Sequence, residues 1–204
     1  MVELVVKGGI FMYPILACSV AALAVFIERL WMLRTSRIMP RYFIRNIEDL
    51  IRKKKLPEAV FLCQSNVSSI ARIFLAGLKN TQKGMWLIKE AVEERGGREA
   101  ATIGKNIAVL ATIANLTPLL GLLGTVSGMI KAFNAFSVQG ISDTSMLAGG
   151  IAESLITTAT GLCVAIPAMV CHRFLRDRAE SLVFEMEESS IRLLDLVEAS
   201  RDRE

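Results

Sequence analysis

Three runs of this chain are apolar enough and long enough to cross a bilayer, and nothing else in the sequence restricts the fold as much. They extend from Gly9 to Leu33, from Ile107 to Ile130 and from Leu147 to Val170, which is 25, 24 and 24 residues. A hydrocarbon core takes roughly 20 residues to cross at about 1.5 Å of rise each. Lipid offers no partner to an unpaired backbone N–H or C=O, so each run is expected to be a helix. Composition agrees, since 52% of the 204 residues are hydrophobic and the mean hydropathy is +0.45. A soluble domain would hold roughly 45–50% apolar residues.

The charges follow the same division. A net charge of +4 is mild and makes no case for nucleic acid. Of the 24 Lys and Arg residues, 16 lie between Glu28 and Lys105, whereas the 67 positions from Asn106 to His172 hold one, Lys131. That is a separation of membrane from cytosol. Arg29, Arg34, Arg37, Arg41 and Arg45 end or follow the first run; Arg95, Arg98 and Lys105 precede the second; Arg173, Arg176 and Arg178 follow the third. The connection "NAFSVQGISDTSM" has no basic residue. Positive charge is retained in the cytoplasm, so the expected fold class is an all-α membrane protein with three transmembrane helices, N-out and C-in. Residues 1–8 are expected outside, 9–33 as the first span and 34–106 as a cytoplasmic helical region. The second span is 107–130, the outer loop 131–146, the third span 147–170 and the cytoplasmic C-terminal helix 171–204. "ILAC" at residues 15–18 resembles a lipoprotein cleavage box. The region before it offers only Lys7 offset by Glu3, and the apolar run continues past Cys18, so a signal-anchor span is the better reading.

The polar middle reads as helical. "LPEAVFLCQ" puts Pro57 at a helix start. "SSIARIFLAGLKN" spaces Ile70, Ile73, Phe74 and Leu78 along one stripe behind a serine cap. A polar helix from about Gly84 heads towards the second span, with an interruption expected near Gly96–Gly97. After the third span, Phe174, Leu182, Met186, Leu193 and Val197 recur among charges, which makes the tail amphipathic and fit to pack on the middle region. Glu28, in "FIERLW", is expected to be an interfacial anchor paired with arginine. Cys18, Cys63, Cys163 and Cys171 have neither CxxC nor metal-ligand spacing and read as small hydrophobes. No Ser–Lys set, Asp pair or HExxH is present, and the one histidine, His172, reads as a flanking interfacial residue. No enzyme, metal or cofactor is expected.

The third run, "GGIAESLITTATGLCVAIPAMV", contains one carboxylate, Glu153. A charge at mid-bilayer costs about 2.5–3.5 kcal/mol on insertion scales, so such residues face a protein interior or a wet cavity. Two readings stay open: a group that exchanges protons, or one that hydrogen-bonds a neighbouring helix. At about 100° per residue, Gly149, Glu153, Thr157, Thr160 and Gly161 share a face, and Thr158 points roughly 140° away from Glu153. A helix polar on two sides belongs between neighbours, as in a tight oligomer, although hydroxyls and small residues are also ordinary glue between membrane helices. In the second run, Pro118, Gly121, Thr125 and Gly128 fall on one face, and Pro118 is expected to bend the helix or free a carbonyl.

"TPLLGLLGTVSGM" followed by "GGIAESLITTATGLCVAIPA" resembles the signature pair of the MotA/TolQ/ExbB proton-channel family, and the arrangement of spans resembles its ExbB/TolQ branch. The resemblance implies a pentamer whose second and third spans line a pore, and a partner dimer of the ExbD/TolR type, each chain with one span bearing a membrane aspartate. It also implies a TonB- or TolA-like energy transducer, a bacterial inner membrane, and work at the cell envelope driven by the proton motive force. By motif position it makes Thr125 and Thr158 pore threonines and Glu153 the "GIAE" glutamate, with Thr157 beside them in the pore-lining set. Pro118, Gly121, Gly124, Gly128, Gly161 and Pro167 form the packing and kink set. Many relatives have "APGIAEAL" where this chain has "LAGGIAESL". Protons are preferred to Na⁺ as the ion. A non-conducting oligomeric scaffold, or a Na⁺-driven or gliding- or flagellar-type motor subunit, is the alternative.

Overall fold

The computed structural model describes residues 8–139 and 144–201, and each regular element among them is a helix. In chain order these are α1 Met12–Met32, α2 Thr35–Ile38, α3 Arg41–Arg52, α4 Leu56–Ser65, α5 Ser69–Leu78, a 3₁₀ turn Thr81–Lys83, α6 Met85–Gly104, α7 Ile107–Gln139 and α8 Thr144–Arg201. Among the described residues, three helical stretches are long and apolar enough to cross a membrane. The expectations for residues 1–7 and for the connection at Gly140 lie outside the described residues.

Two compact units emerge. The apolar unit contains residues up to Arg29 together with Asn106–Phe174; the polar unit contains Leu30–Lys105 and Leu175 onward. The polar unit follows the rules of a water-soluble helical core. Ile70, Ile73, Phe74 and Leu78 are all buried, as their spacing predicts, and Ser68 caps α5 by accepting the Ala71 N–H. Pro57 occupies the first turn of α4, where a missing N–H costs nothing. From the C-terminal part of α8, Leu182, Met186, Leu193 and Val197 join this core, whereas Phe174, which belongs to the other unit, is exposed. Gly77 marks the closest approach: a Cβ added there would stand 2.8 Å from Val92 Cγ2 and 3.6 Å from Leu193 Cδ2. Helices α5, α6 and α8 therefore converge on one point. Burial pushes the Cys63 thiol up to about 12, so it stays protonated, the inert small hydrophobe its surroundings suggest.

A buried ion cluster fixes α5 to α6. Glu99 receives Arg72 Nε at 2.8 Å, Arg72 Nη2 at 2.5 Å and Arg95 Nη2 at 2.8 Å. Burial alone would raise its carboxyl. Hydrogen bonds from Arg72 and Ser69, with the charges of Arg72 and Arg95, outweigh burial and hold it below the usual glutamate range.

Two boundaries differ from the sequence pattern. Helix α6 runs unbroken through Gly96–Gly97 and stops at Lys105–Asn106, where Asn106 adopts φ +63°. Two glycines cost a helix about 1 kcal/mol each. Val92, Glu99 and Ile103, buried on either side of them, hold the turns in place. Asn tolerates the left-handed region far better than most residues, which suits it to the break. Helix α7 continues to Gln139, nine residues into the segment expected as an outer loop. Ala132 in this extension packs against the position of Gly150 on α8.

Candidate functional site

The site lies between α7 and the first part of α8, and small residues build it. Down the seam, Gly150 sits against Ala132 and Gly128, Ser154 against Gly128, Thr157 against Gly124, and Gly161 against Thr117 and Gly121. A Cβ added to Gly161 would come within 2.6 Å of the Thr117 carbonyl oxygen, and one on Gly121 within 3.1 Å of Thr158 Cα. Backbone meets backbone here, which requires glycine. Apolar side chains gain nothing by leaving lipid for one another, so close contact and interhelical hydrogen bonds carry the association. Gly121, Gly124, Gly128 and Gly161 therefore all occupy packing positions, while Gly149 faces open space and its neighbour Gly150 takes the contact. Pro118 and Pro167 lie within α7 and α8, and both helices continue past them.

The hydroxyls divide into two kinds. Thr157 is completely buried, its Oγ1 2.6 Å from the Gly8 carbonyl and 2.8 Å from the Glu153 carbonyl. It is thus placed in the packed seam instead of along an open route, because its side chain fills the space left by Gly124. Ser154, buried in the same seam, lies 2.8 Å from the Gly150 carbonyl and 3.2 Å from that of Thr125. Thr125 and Thr158 are half-buried. Thr158 donates across the seam to the Gly121 carbonyl at 3.0 Å, and Thr125 donates back to Leu122 in its own helix at 2.6 Å. Thr160 likewise bonds back to Ile156.

Glu153 is neither sealed nor alone. Its side chain keeps 24% exposure, and Lys131 Nζ lies 2.7 Å from Oε1. Lys131 is the one cation in that 67-residue stretch, and the helix pair brings it to the one carboxylate of the third run. Gly9 lies against the same carboxylate: its φ is +72°, and the carboxylate occupies the space where a Cβ would stand. The polar set therefore includes two members that sequence reasoning did not assign to it, Lys131 and the Gly8–Gly9 turn. Glu28 is paired as anticipated, with Arg29 Nη2 at 3.3 Å, although it is the arginine that is buried. Among the described residues, no three His, Cys, Asp or Glu side chains gather to hold a metal ion.

Apolar helices with a small-residue seam and a half-open set of hydroxyls and paired charges define a multi-pass membrane protein with polar groups held at membrane depth. The comparison with known families makes this specific. The model of the MotA/TolQ/ExbB proton channel family matches residues 65–188. A putative biopolymer transport protein, ExbB-like 1, from Synechocystis sp. is 35% identical over 177 residues, covering 83% of this chain and 68% of its own. The Tol-Pal system protein TolQ of Haemophilus influenzae is 30% identical over 182 residues, covering 82% and 78%. A putative ExbB homolog from Methanothermobacter thermautotrophicus is 27% identical over 186 residues, covering 91% and 66%. The chain belongs to the MotA/TolQ/ExbB proton channel family and groups with proteins named ExbB and TolQ.

Proposed function

We propose that this chain is an ion-conducting subunit of an inner-membrane motor that uses the proton motive force, with an ExbD/TolR-like partner, to drive work at the cell envelope. The single observation that carries the reading is the polar set on α7 and α8 that stays partly open at the rim of the seam. Thr125 and Thr158 stay half-open and Glu153 keeps a quarter of its side chain exposed, whereas the purely structural positions are shut. Polar groups left open at membrane depth face a wet cavity or a protein partner.

In this reading the chain is a homopentamer, N-out and C-in, with α7 and α8 around a central partner dimer. Thr125 and Thr158 offer oxygens beside the partner's membrane aspartate, and Glu153 takes part in charge balance or proton exchange near the outer end. Gly121, Gly124, Gly128 and Gly161 hold α7 and α8 at backbone contact so that the hydroxyls keep their positions. Pro118 leaves one carbonyl of its preceding turn without an N–H. A TonB- or TolA-like transducer receives the work. Protons are preferred to Na⁺, and the polar unit is cytoplasmic.

The test is proton flux into vesicles holding the chain with its co-purified partner, monitored by an internal pH dye. Glu153→Ala and Thr158→Ala should each cut flux severely while the complex remains assembled. If both variants pass the parent's flux, the ion route does not use these groups; if the parent complex itself passes none, the chain is a non-conducting scaffold.

A further inference from the structure

The ion pair at Glu153 has two unequal sides. On one side is Gly9, at φ +72°, with the carboxylate in the place of its missing Cβ. The adjacent Gly8 carbonyl accepts from Thr157 one helical turn below, which fastens this side to the seam. Backbone cannot swing away by a rotamer change. On the other side is Lys131, which reaches Oε1 at 2.7 Å from α7 while 56% of its side chain stays exposed. A lysine reaches its partner on a flexible four-carbon stem and leaves it at little cost. Among the described residues, Lys131 is the charged group facing Glu153; the Gly8–Gly9 turn and the neighbouring residues of α8 present uncharged groups.

We propose that Lys131 is a built-in competitor ion: its ammonium occupies the Glu153 carboxylate until an arriving cation displaces it, so the pair gates the outer entry of the ion route. This rests on the conduction reading above and adds a specificity-determining residue to it. Lys131 is a positioning residue, acting through Glu153. Its ammonium repels a second cation and holds the carboxylate that this cation needs. Displacement moves no covalent bond: the lysine swings towards solvent on its exposed side and the carboxylate, braced by Gly9, stays in place. The gate therefore sets how much driving ion is needed, and not how fast the open route conducts.

The test measures flux against external proton concentration in the complete complex. Lys131→Gln should lower the half-saturating concentration about two- to fivefold, the range expected for a half-exposed pair, with maximal flux preserved. Lys131→Arg keeps the charge and should not lower the half-saturating concentration. An unchanged half-saturation in Lys131→Gln, with flux lost in Glu153→Gln, overturns the gate and leaves the conduction reading standing. Full flux in Glu153→Gln takes that carboxylate out of the ion route and overturns the gate, whereas a parent complex that passes no flux overturns the conduction reading. A second measurement needs no flux. Acylation of Lys131 by a water-soluble amine reagent, followed by mass spectrometry, should be at least about twofold faster in Glu153→Gln than in the parent. Equal rates would show that no pair protects the lysine.

Discussion

In the polar unit the largest sealed side chains include Ile47, Ile51, Ile70, Ile73 and Phe74; in the apolar unit Ile15 and Leu110 are sealed too, but between α7 and α8 the sealed positions are Thr117, Gly121, Gly124, Ser154 and Thr157, while Leu119, Leu122, Leu155 and Ile166 lie exposed. The seam between α7 and α8 thus packs by a different rule from the polar core. Where water is the solvent, burying branched and aromatic side chains supplies the stability, at about 25 cal/mol for each Å² removed. In lipid that driving force vanishes between helices, and backbone proximity with hydroxyl-to-carbonyl bonds takes its place. The half-open hydroxyls of Thr125 and Thr158, at the rim of that seam, are the ones the proposed ion route would use.

The largest break in this comparison should come from the polar core. Phe74→Ala should cost about 3–5 kcal/mol in denaturant unfolding of the polar unit, followed by Trp86 fluorescence. Next is the Arg72–Glu99–Arg95 cluster. Arg72→Leu should cost at most about 3 kcal/mol, because Arg95 and Ser69 still hold the buried carboxylate. The cluster also gives a pH dependence. The Glu99 carboxyl lies lower folded than unfolded, so its stabilisation is full above about pH 4.3 and is lost as pH falls through the folded value. Glu99→Gln should remove that acid-sensitive component and flatten the curve below about pH 5.

Changes in the apolar unit should be smaller and of another kind. Gly161→Ala drives a methyl into the Thr117 carbonyl and should destabilise the helix pair by about 1–3 kcal/mol in a detergent melt. Thr158→Val removes the bond to the Gly121 carbonyl and should cost only about 0.6 kcal/mol in the same melt. Its effect on flux should be far larger than its effect on stability.

The stripe and cap of α5 were legible because helix period and cap chemistry are local: four apolar positions and one serine suffice. The three spans were legible because length and apolarity alone specify them. The Lys131–Glu153 pair was not, since its partners lie 22 residues apart and helical period says nothing about register between two antiparallel helices. Gly9 was still harder: its close contact is with a carboxylate far along the chain, and an isolated glycine near an apolar run has no local signature. The Gly96–Gly97 interruption failed for the converse reason, as tertiary burial around the pair outweighed their local preference. Thr157 and Thr158 are adjacent and chemically alike, yet one faces the seam and the other its rim. Helical period puts them on different faces, and packing decides which of the two is shut.

That separation is the sharpest place to test the account. Single cysteines at 125, 157 and 158, in a chain whose four native cysteines are replaced, can be exposed to a membrane-impermeant thiol reagent in cell membranes. A thiol reacts as thiolate, which requires water. Positions 125 and 158 should be labelled and position 157 should stay protected. Labelling at 157 alone, or at none of the three, would contradict a wet route walled by the half-open hydroxyls at the rim of the seam.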